Sequence, residues 1–225
     1  MKPITSLPVL LTAAIVVLGA TAEGSAQQRP PAVPLIAHNP YFSVWSMADH
    51  LTDQPTRHWT GAEQPLVGLV RIDGANYRYM GADPRAVPAM KQDSVDVKAT
   101  HTDYVFEAAG VKLEVSFFTP AFPQDLDLLS RPVTYLTWNV GSTDGRSHKV
   151  EVLLDVDGRI AVDTDNEAVT WGRSQTAGLT LLNIGSRDQR VLNRSGDDLR
   201  IDWGYFHLGV PANEQASVAE SAHAV

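Results

Sequence analysis

From Val95 to Val156 apolar and polar positions alternate with a period of two. Val95, Val97 and Ala99 share one face of a predicted strand, and Tyr104, Phe106 and Ala108 share one face of the next. Val111, Leu113, Val115 and Phe117 line a third, with Lys112, Glu114 and Ser116 opposite. After a break the alternation resumes over Val133 to Val140, with Leu136, Trp138 and Val140 together, and then in Val150, Val152, Leu154 and Val156. Such alternation predicts antiparallel strands, each half-buried against another layer. Upstream, Leu35 to Ala37 and Tyr41 to Met47 flank an Asn39-Pro40 turn. Leu66 to Ile72 and Tyr77 to Met80 flank Asp73-Gly74, a strong hairpin signal. Downstream, strands are expected at Ala168 to Gly172, Leu179 to Ile184 and Leu199 to Val210. No segment keeps a period of 3.6 over three turns. The fold class is therefore all-β: an antiparallel β-sandwich.

Two stretches interrupt the pattern. Residues 121–132 (AFPQDLDLLSRP) contain Pro123 and Pro132. They are expected to form a crossover between sheets, with Leu126, Leu128 and Leu129 tucked beneath. That divides the chain into a first part, 35–120, a second part, 133–210, and a polar, Ala-rich tail, 211–225. At the other end, Lys2 precedes the apolar run Leu7 to Leu18, which is short for a bilayer span. Small residues follow, so residues 1–26 read as a signal peptide cleaved after Ala22 or Ala26. Residues 27–34 form a Pro-rich lead-in. The mature protein is expected to be secreted or periplasmic, with no membrane association after cleavage.

Charge and composition narrow the chemistry. The net charge is -8, and no Lys/Arg cluster exceeds a dipeptide, which argues against nucleic acid as a partner. There is no cysteine, so thiol nucleophiles are excluded. Gly141-Ser142-Thr143-Asp144-Gly145 lacks the Gly-x-Ser-x-Gly spacing and falls in a turn between strands. His38, His50, His58 and His101 are scattered, without the His-Glu-x-x-His spacing of a zinc helix. Asp163, Asp165 and Glu167 fall on one face of an extended segment. They lack the glycine and the final glutamate of a calcium loop, so an exposed acidic loop is expected there. Asp49 with Asp53, and Asp155 with Asp157, are the carboxylate pairs; acids in loops mostly serve turns and caps. No metal and no cofactor is expected.

The densest stretch runs from His38 to Gly81, rich in Trp, Tyr, His and Asp. Tyr41, Trp45, Asp49, Asp53, His58 and Trp59 are its candidate interface or ligand residues. Rings with an apolar body and a polar edge suit either a sugar platform or a seam against another domain, and packing is the favoured role. The stretch also resembles the N-terminal region of the secreted glutaminase A family. The resemblance rests on Asn39-Pro40-Tyr41, Ser43-x-Trp45-Ser46, Asp49, Leu51-x-Asp53, His58-Trp59-Thr60-Gly61, Pro65-Leu66, Gly68, Arg71-x-Asp73-Gly74 and Tyr77-Arg78-x-Met80-Gly81. It continues more weakly through Leu129 to Tyr135 and Val152-x-x-Asp155. It implies a supersandwich-like N-terminal portion of an amidohydrolase that converts L-glutamine to L-glutamate and ammonia. Its catalytic groups are expected in a C-terminal helical toroid, the implied partner in cis or as a split product. No position here matches a catalytic motif, so this portion alone is expected to be inactive. The alternatives are a carbohydrate-binding or accessory sandwich of a glycosidase-like secreted protein, and an exported domain without a partner.

Overall fold

In the computed structural model residues 30–212 and 216–219 are described. The expected signal peptide, part of the lead-in and most of the tail lie outside them. The elements are β1 (Val33–Asn39), β2 (Phe42–Ser46), β3 (Leu66–Ile72), β4 (Ala75–Met80), β5 (Lys91–Val97), β6 (His101–Ala108) and β7 (Val111–Phe118). A one-turn helix α1 (Leu126–Leu129) is followed by β8 (Tyr135–Ser142), β9 (Val150–Val156), β10 (Val169–Thr176), β11 (Leu179–Ser186) and β12 (Phe206–Pro211). A short 3-10 turn spans Gly158–Ala161. The protein is all-β and every strand pairing is antiparallel. No helix among the described residues is long and apolar enough to cross a membrane.

Four sheets carry the strands, in the orders β1-β2, β4-β3-β9, β5-β6-β7-β8 and β10-β11-β12. The inward faces of the second and third meet in one core. Leu66, Val70, Ile72 and Tyr79 come from one side, and Tyr104, Phe106, Val111, Leu113, Val115 and Phe117 from the other. The alternation in β6 and β7 is thus expressed as expected: Val111, Leu113, Val115 and Phe117 of β7 are buried, and Lys112, Glu114 and Ser116 between them are half-buried. Asp73 (φ 49°) and Gly74 (φ 91°) take the left-handed conformations that an Asp-Gly hairpin needs. The β1-β2 hairpin closes one end of the core, where Thr102 Oγ1 donates to the Pro34 carbonyl at 2.7 Å. Phe42 of β2 stacks on Phe206 of β12, with centroids 6.0 Å apart, and so joins the last sheet to the first.

The structure differs from the sequence expectation at three places. Residues 121–132 do not carry the chain between sheets, because β7 and β8 are paired neighbours in one sheet. The change of sheet comes after Ser142, before β9 pairs with β3. Leu126, Leu128 and Leu129 lie on the surface, not beneath the sheets. Their spacing gives a single turn, capped where Asp125 Oδ1 accepts from Leu128 N at 3.0 Å, and one turn has no second face to bury. Last, the strand expected over Leu199 to Val210 begins only at Phe206; residues 199–205 are irregular because Arg200 and Asp202 are drawn into ion pairs.

Candidate functional site

The aromatic stretch separates into two clusters. The first gathers at the β1-β2 turn. Asn39 Oδ1 accepts from the backbone N–H groups of Tyr41 (2.9 Å) and Phe42 (3.1 Å), which tightens the turn and leaves the Pro40 carbonyl pointing away from it. That carbonyl accepts twice: from Trp59 Nε1 at 2.6 Å and from His58 Nε2 at 3.1 Å. His58 is fully buried. Burial lowers its pKa first and Arg200 adds to that, while the bond to Pro40 and the charge of Asp163 oppose it. A neutral ring with its proton on Nε2 satisfies the site, because Nδ1 then accepts from the Thr60 hydroxyl at 3.0 Å. Trp45 Nε1 donates to Ser43 Oγ at 3.0 Å. Trp45 and Trp59 line an open groove of about 420 Å³ with Ala37, His38, Asn39, Pro40 and Ser43. Tyr41 is half-exposed on the same turn, and its carbonyl accepts from Ile201 N at 2.9 Å.

Asp49 and Asp53 are held elsewhere. Asp53 Oδ2 accepts from His50 N (3.1 Å) and lies 3.0 Å from His50 Nδ1. The Asp49 carbonyl accepts from Gln92 Nε2, whose Oε1 in turn accepts from Leu51 N. The buried Arg78 donates from Nη1 to the carbonyls of Thr52 and Gly81. Gln92 and Arg78 therefore fasten the 49–53 loop to β5 and β4, and the Asp53 carboxylate closes the loop onto His50, away from the partners of His58 and Trp59.

A third group was not foreseen from the sequence. Glu63 accepts from Arg57 Nη2 (3.1 Å) and Arg159 Nη1 (2.9 Å), and Arg159 also holds Asp157 through Nη2 at 3.0 Å. Arg159 raises no alarm in the sequence, yet its bonds account for much of the lowered pKa of Asp157 against the opposing effect of burial. Beside it, Arg194 reaches Asp163 (3.2 Å), Glu167 (3.1 Å) and Asp202 (2.7 Å). Arg200, itself buried, donates to the Asp163 carbonyl, and its backbone N donates to Asp163 Oδ1 at 2.8 Å. The Asp163-Asp165-Glu167 run is thus not a free acidic loop: Asp163 and Glu167 are largely covered and answered by arginine. The only signal available was the nearby pair Arg194 and Arg200, and nothing in their spacing says which acids they meet.

Asp155 is half-buried at the end of β9, and burial raises its pKa. Among the described residues no group of three or more His, Asp or Glu is arranged to hold a metal ion. What the arrangement does chemically is hold shape. The polar edges of the buried and half-buried rings are spent on backbone carbonyls and neighbouring hydroxyls.

Comparison with known proteins gives two family matches. Residues 100–225 match a domain of unknown function, DUF5127, and residues 11–91 match another, DUF4964. The chain is 27% identical to a protein named Glutaminase A from Aspergillus oryzae, over 88% of this chain and 30% of that protein. It is 21% identical to a "Probable glutaminase/05536" from Arthroderma benhamiae, over 84% of this chain and 24% of that protein. The chain thus spans less than a third of the length of these curated relatives, and the resemblance read from residues 39–81 is borne out by them. No solved structure matches.

Proposed function

The chain belongs to the DUF5127 family, and from that premise we propose that it supplies the N-terminal, non-catalytic β-sandwich portion of a secreted glutaminase A-like amidohydrolase. In this reading the hydrolysis of L-glutamine to L-glutamate and ammonia belongs to the longer protein. Its catalytic groups sit in a further, helical region that docks on this one in cis or as a separate product. One observation carries the reading. The candidate polar groups are already committed within the fold: His58 to Pro40 and Thr60, Trp59 to Pro40, Asp53 to His50. An amidase needs a nucleophile or activated water beside a base and a set of donors for the oxyanion. Similarity across most of this chain but under a third of its relatives supports the same view. The half-exposed Tyr41 and Trp59 then form part of the surface that meets the helical region.

The test is ammonia release from L-glutamine by the purified chain, beside Aspergillus oryzae glutaminase A as reference. No release above buffer is expected. Turnover that disappears in His58→Gln would overturn the proposal. Export is checked by mass spectrometry, with a mature start at Glu23 or Gln27 expected. The groove along Trp45 and Trp59 is the one observation in favour of carbohydrate binding instead. Sugar sites pair a ring with several free polar groups. Here the Trp59 indole N–H and the Pro40 carbonyl are already bonded to each other. Trp fluorescence titrated with an oligosaccharide panel distinguishes the two readings, and no response is expected.

A further inference from the structure

The two facing sheets end together along one border. β8 is outermost in its sheet and β9 in its own. Trp138 Nε1 of β8 donates to Tyr79 Oη at 2.9 Å, and Tyr79 Oη donates to the Leu153 carbonyl of β9 at 3.3 Å. The opposite border is finished in the ways proteins close an exposed sheet edge. There, β5 carries Lys91, Asp93 and Asp96 and is broken by a register shift between Gln92 and Ser94. The outer side of β4 is covered by residues 88–90, with Arg78 N donating to the Pro88 carbonyl and Met90 N to the Arg78 carbonyl, both at 2.8 Å.

The β8/β9 border lacks the lysine, the register shift and the covering segment, although β9 carries the acids Glu151 and Asp155. Neither strand contains Pro, Lys or Arg, and each keeps an unbroken register with its neighbour. At two inward positions the cover is thin: Val140 is 41% and Val152 37% exposed, whereas Leu136, Trp138, Val150, Leu154 and Val156 are partly buried against the core, and Phe106 and Leu113 in its middle are at 0%. The alternation of both strands marks an inner and an outer face. Only one flank is occupied among the described residues.

We propose that this border is a strand-addition site for a strand–turn–strand segment of another polypeptide region, which adds one strand to each sheet. An edge's unpaired N–H and C=O groups are met in full only by an extended partner. The inward side chains of that partner are apolar, to cover Val140, Val152 and Trp138. Its outward side chains include a base opposite Asp155. Glu151 is already met by Lys149 at 2.9 Å, whereas half-buried Asp155 has a backbone hydrogen bond at Val156 and the like charge of Asp157 beside it. A second copy of this chain fits poorly. Antiparallel self-pairing of β9 about Leu153 sets Asp155 opposite Glu151, like against like, between molecules of net charge -8. The relatives, more than three times longer than their matched portions, carry ample polypeptide to supply such a segment. This site is separate from the aromatic turn and does not depend on the glutaminase reading.

The test is hydrogen–deuterium exchange on the purified chain, with and without a peptide of about eight alternating valine and lysine residues, a common strand length. N-methylation of every second residue leaves the peptide one pairing edge. In the free chain the border amides of β8 and β9 should exchange far faster than those of β6 and β7. The peptide should slow them about tenfold and leave β5 unchanged. A valine–glutamate peptide should bind about tenfold more weakly, and Asp155→Asn should erase most of that difference. Border amides already protected in the free monomer, no slowing by the peptide, or equal slowing at β5 would each overturn the proposal. So would sedimentation as a dimer with a protected border, which would assign the site to a second copy.

Discussion

Residues 33–118 and 135–211 are written in the same alternating pattern and are buried to different depths. In the first region the inward side chains of β3, β6 and β7 are covered from the facing sheet and from both flanks. In the second, β8 and β9 cover the core from one flank only, and Trp171 of β10 and Tyr205 before β12 are half-exposed. Period-two patterning says which face of a strand is apolar; depth depends on how many neighbours that face acquires. The same pattern thus yields a closed core at one end of the chain and an open one at the other. The sharpest way to break this contrast is truncation on each side. Phe106→Ala, at a fully buried ring, should lower unfolding free energy by about 3–5 kcal/mol. Leu153→Ala, at a side chain 43% exposed, should cost less than about 1 kcal/mol. Equal costs in chemical denaturation would mean that the border is already covered.

A second comparison concerns a contact that reaches from the closed region into the open one. The Tyr79 ring lies flat over Gly68, so a Cβ added there would meet the ring at 2.3 Å. Only the absence of a side chain lets the phenol pass β3 and arrive between Trp138 and Leu153. Burial pushes the Tyr79 hydroxyl well above its ordinary pKa, in keeping with a neutral donor held between the sheets. Gly68→Ala should cost about 1–3 kcal/mol by overpacking. Tyr79→Leu in the same chain should recover part of that loss, since the two positions are in contact. Additive losses in the double-mutant cycle would show that the ring and the glycine act independently.

The aromatic turn gives a smaller contrast within one short stretch. His58 is buried with both ring nitrogens engaged, whereas neighbouring Trp59 is 45% exposed. His58→Ala leaves the Thr60 hydroxyl without its ring partner and takes one of two donors from the Pro40 carbonyl, a loss of about 1–3 kcal/mol. Trp59→Ala removes one bond and a half-covered ring, and about 1 kcal/mol is expected. A larger loss at Trp59 than at His58, measured by thermal denaturation, would assign the turn's stability to the exposed ring.

The strands were legible because two-residue alternation and turn chemistry are local. Leu66 to Ile72 was placed residue for residue, and Asp73-Gly74 forms the hairpin it announces. What escaped was contact between residues far apart in sequence. Glu63 meets Arg159 across 96 residues, and Arg200 meets Asp163 across 37, with no periodicity to mark them. The prolines of 121–132 mark a break in the pattern but not its direction: a chain can leave one strand and return beside it or cross to the other sheet with the same loop composition. For the candidate site, the density of rings points to one stretch, yet Asp49 and Asp53 belong to a loop held by Gln92 of β5 and Arg78 of β4, while His58 and Trp59 serve the β1-β2 turn. Closeness in sequence joined two clusters that the fold separates.

The mildest test concerns how the open region is held to the closed one at its far end. His148, in the loop between β8 and β9, lies between two carboxylates. Its Nδ1 is 2.7 Å from Asp73 in the β3-β4 turn, and its Nε2 is 3.0 Å from Asp144. Asp73 also accepts from Lys149 N at 2.8 Å. Bonding to Asp144 and Asp73 raises the His148 pKa above its ordinary 6.5. The bond to His148 lowers Asp73, and that bond with the Arg146 N–H draws Asp144 from 3.8 down to about 2. The two signs define a window. A raised histidine contributes stability that is complete below 6.5 and is lost as pH rises through its folded value. A lowered carboxylate contributes stability that is complete above 3.8 and is lost as pH falls towards 2. The clip is therefore strongest between about pH 4 and 6.5 and weakens on either side. The two carboxylates are open to solvent, so the effect is small and screened by salt. His148→Ala should flatten the decline of melting temperature above pH 6.5 while leaving the Phe106→Ala penalty unchanged. It should also raise the exchange rate of the first β9 amides more than those of β3. An unaltered pH profile in the variant would mean that β9 is held by its ladder to β3 alone.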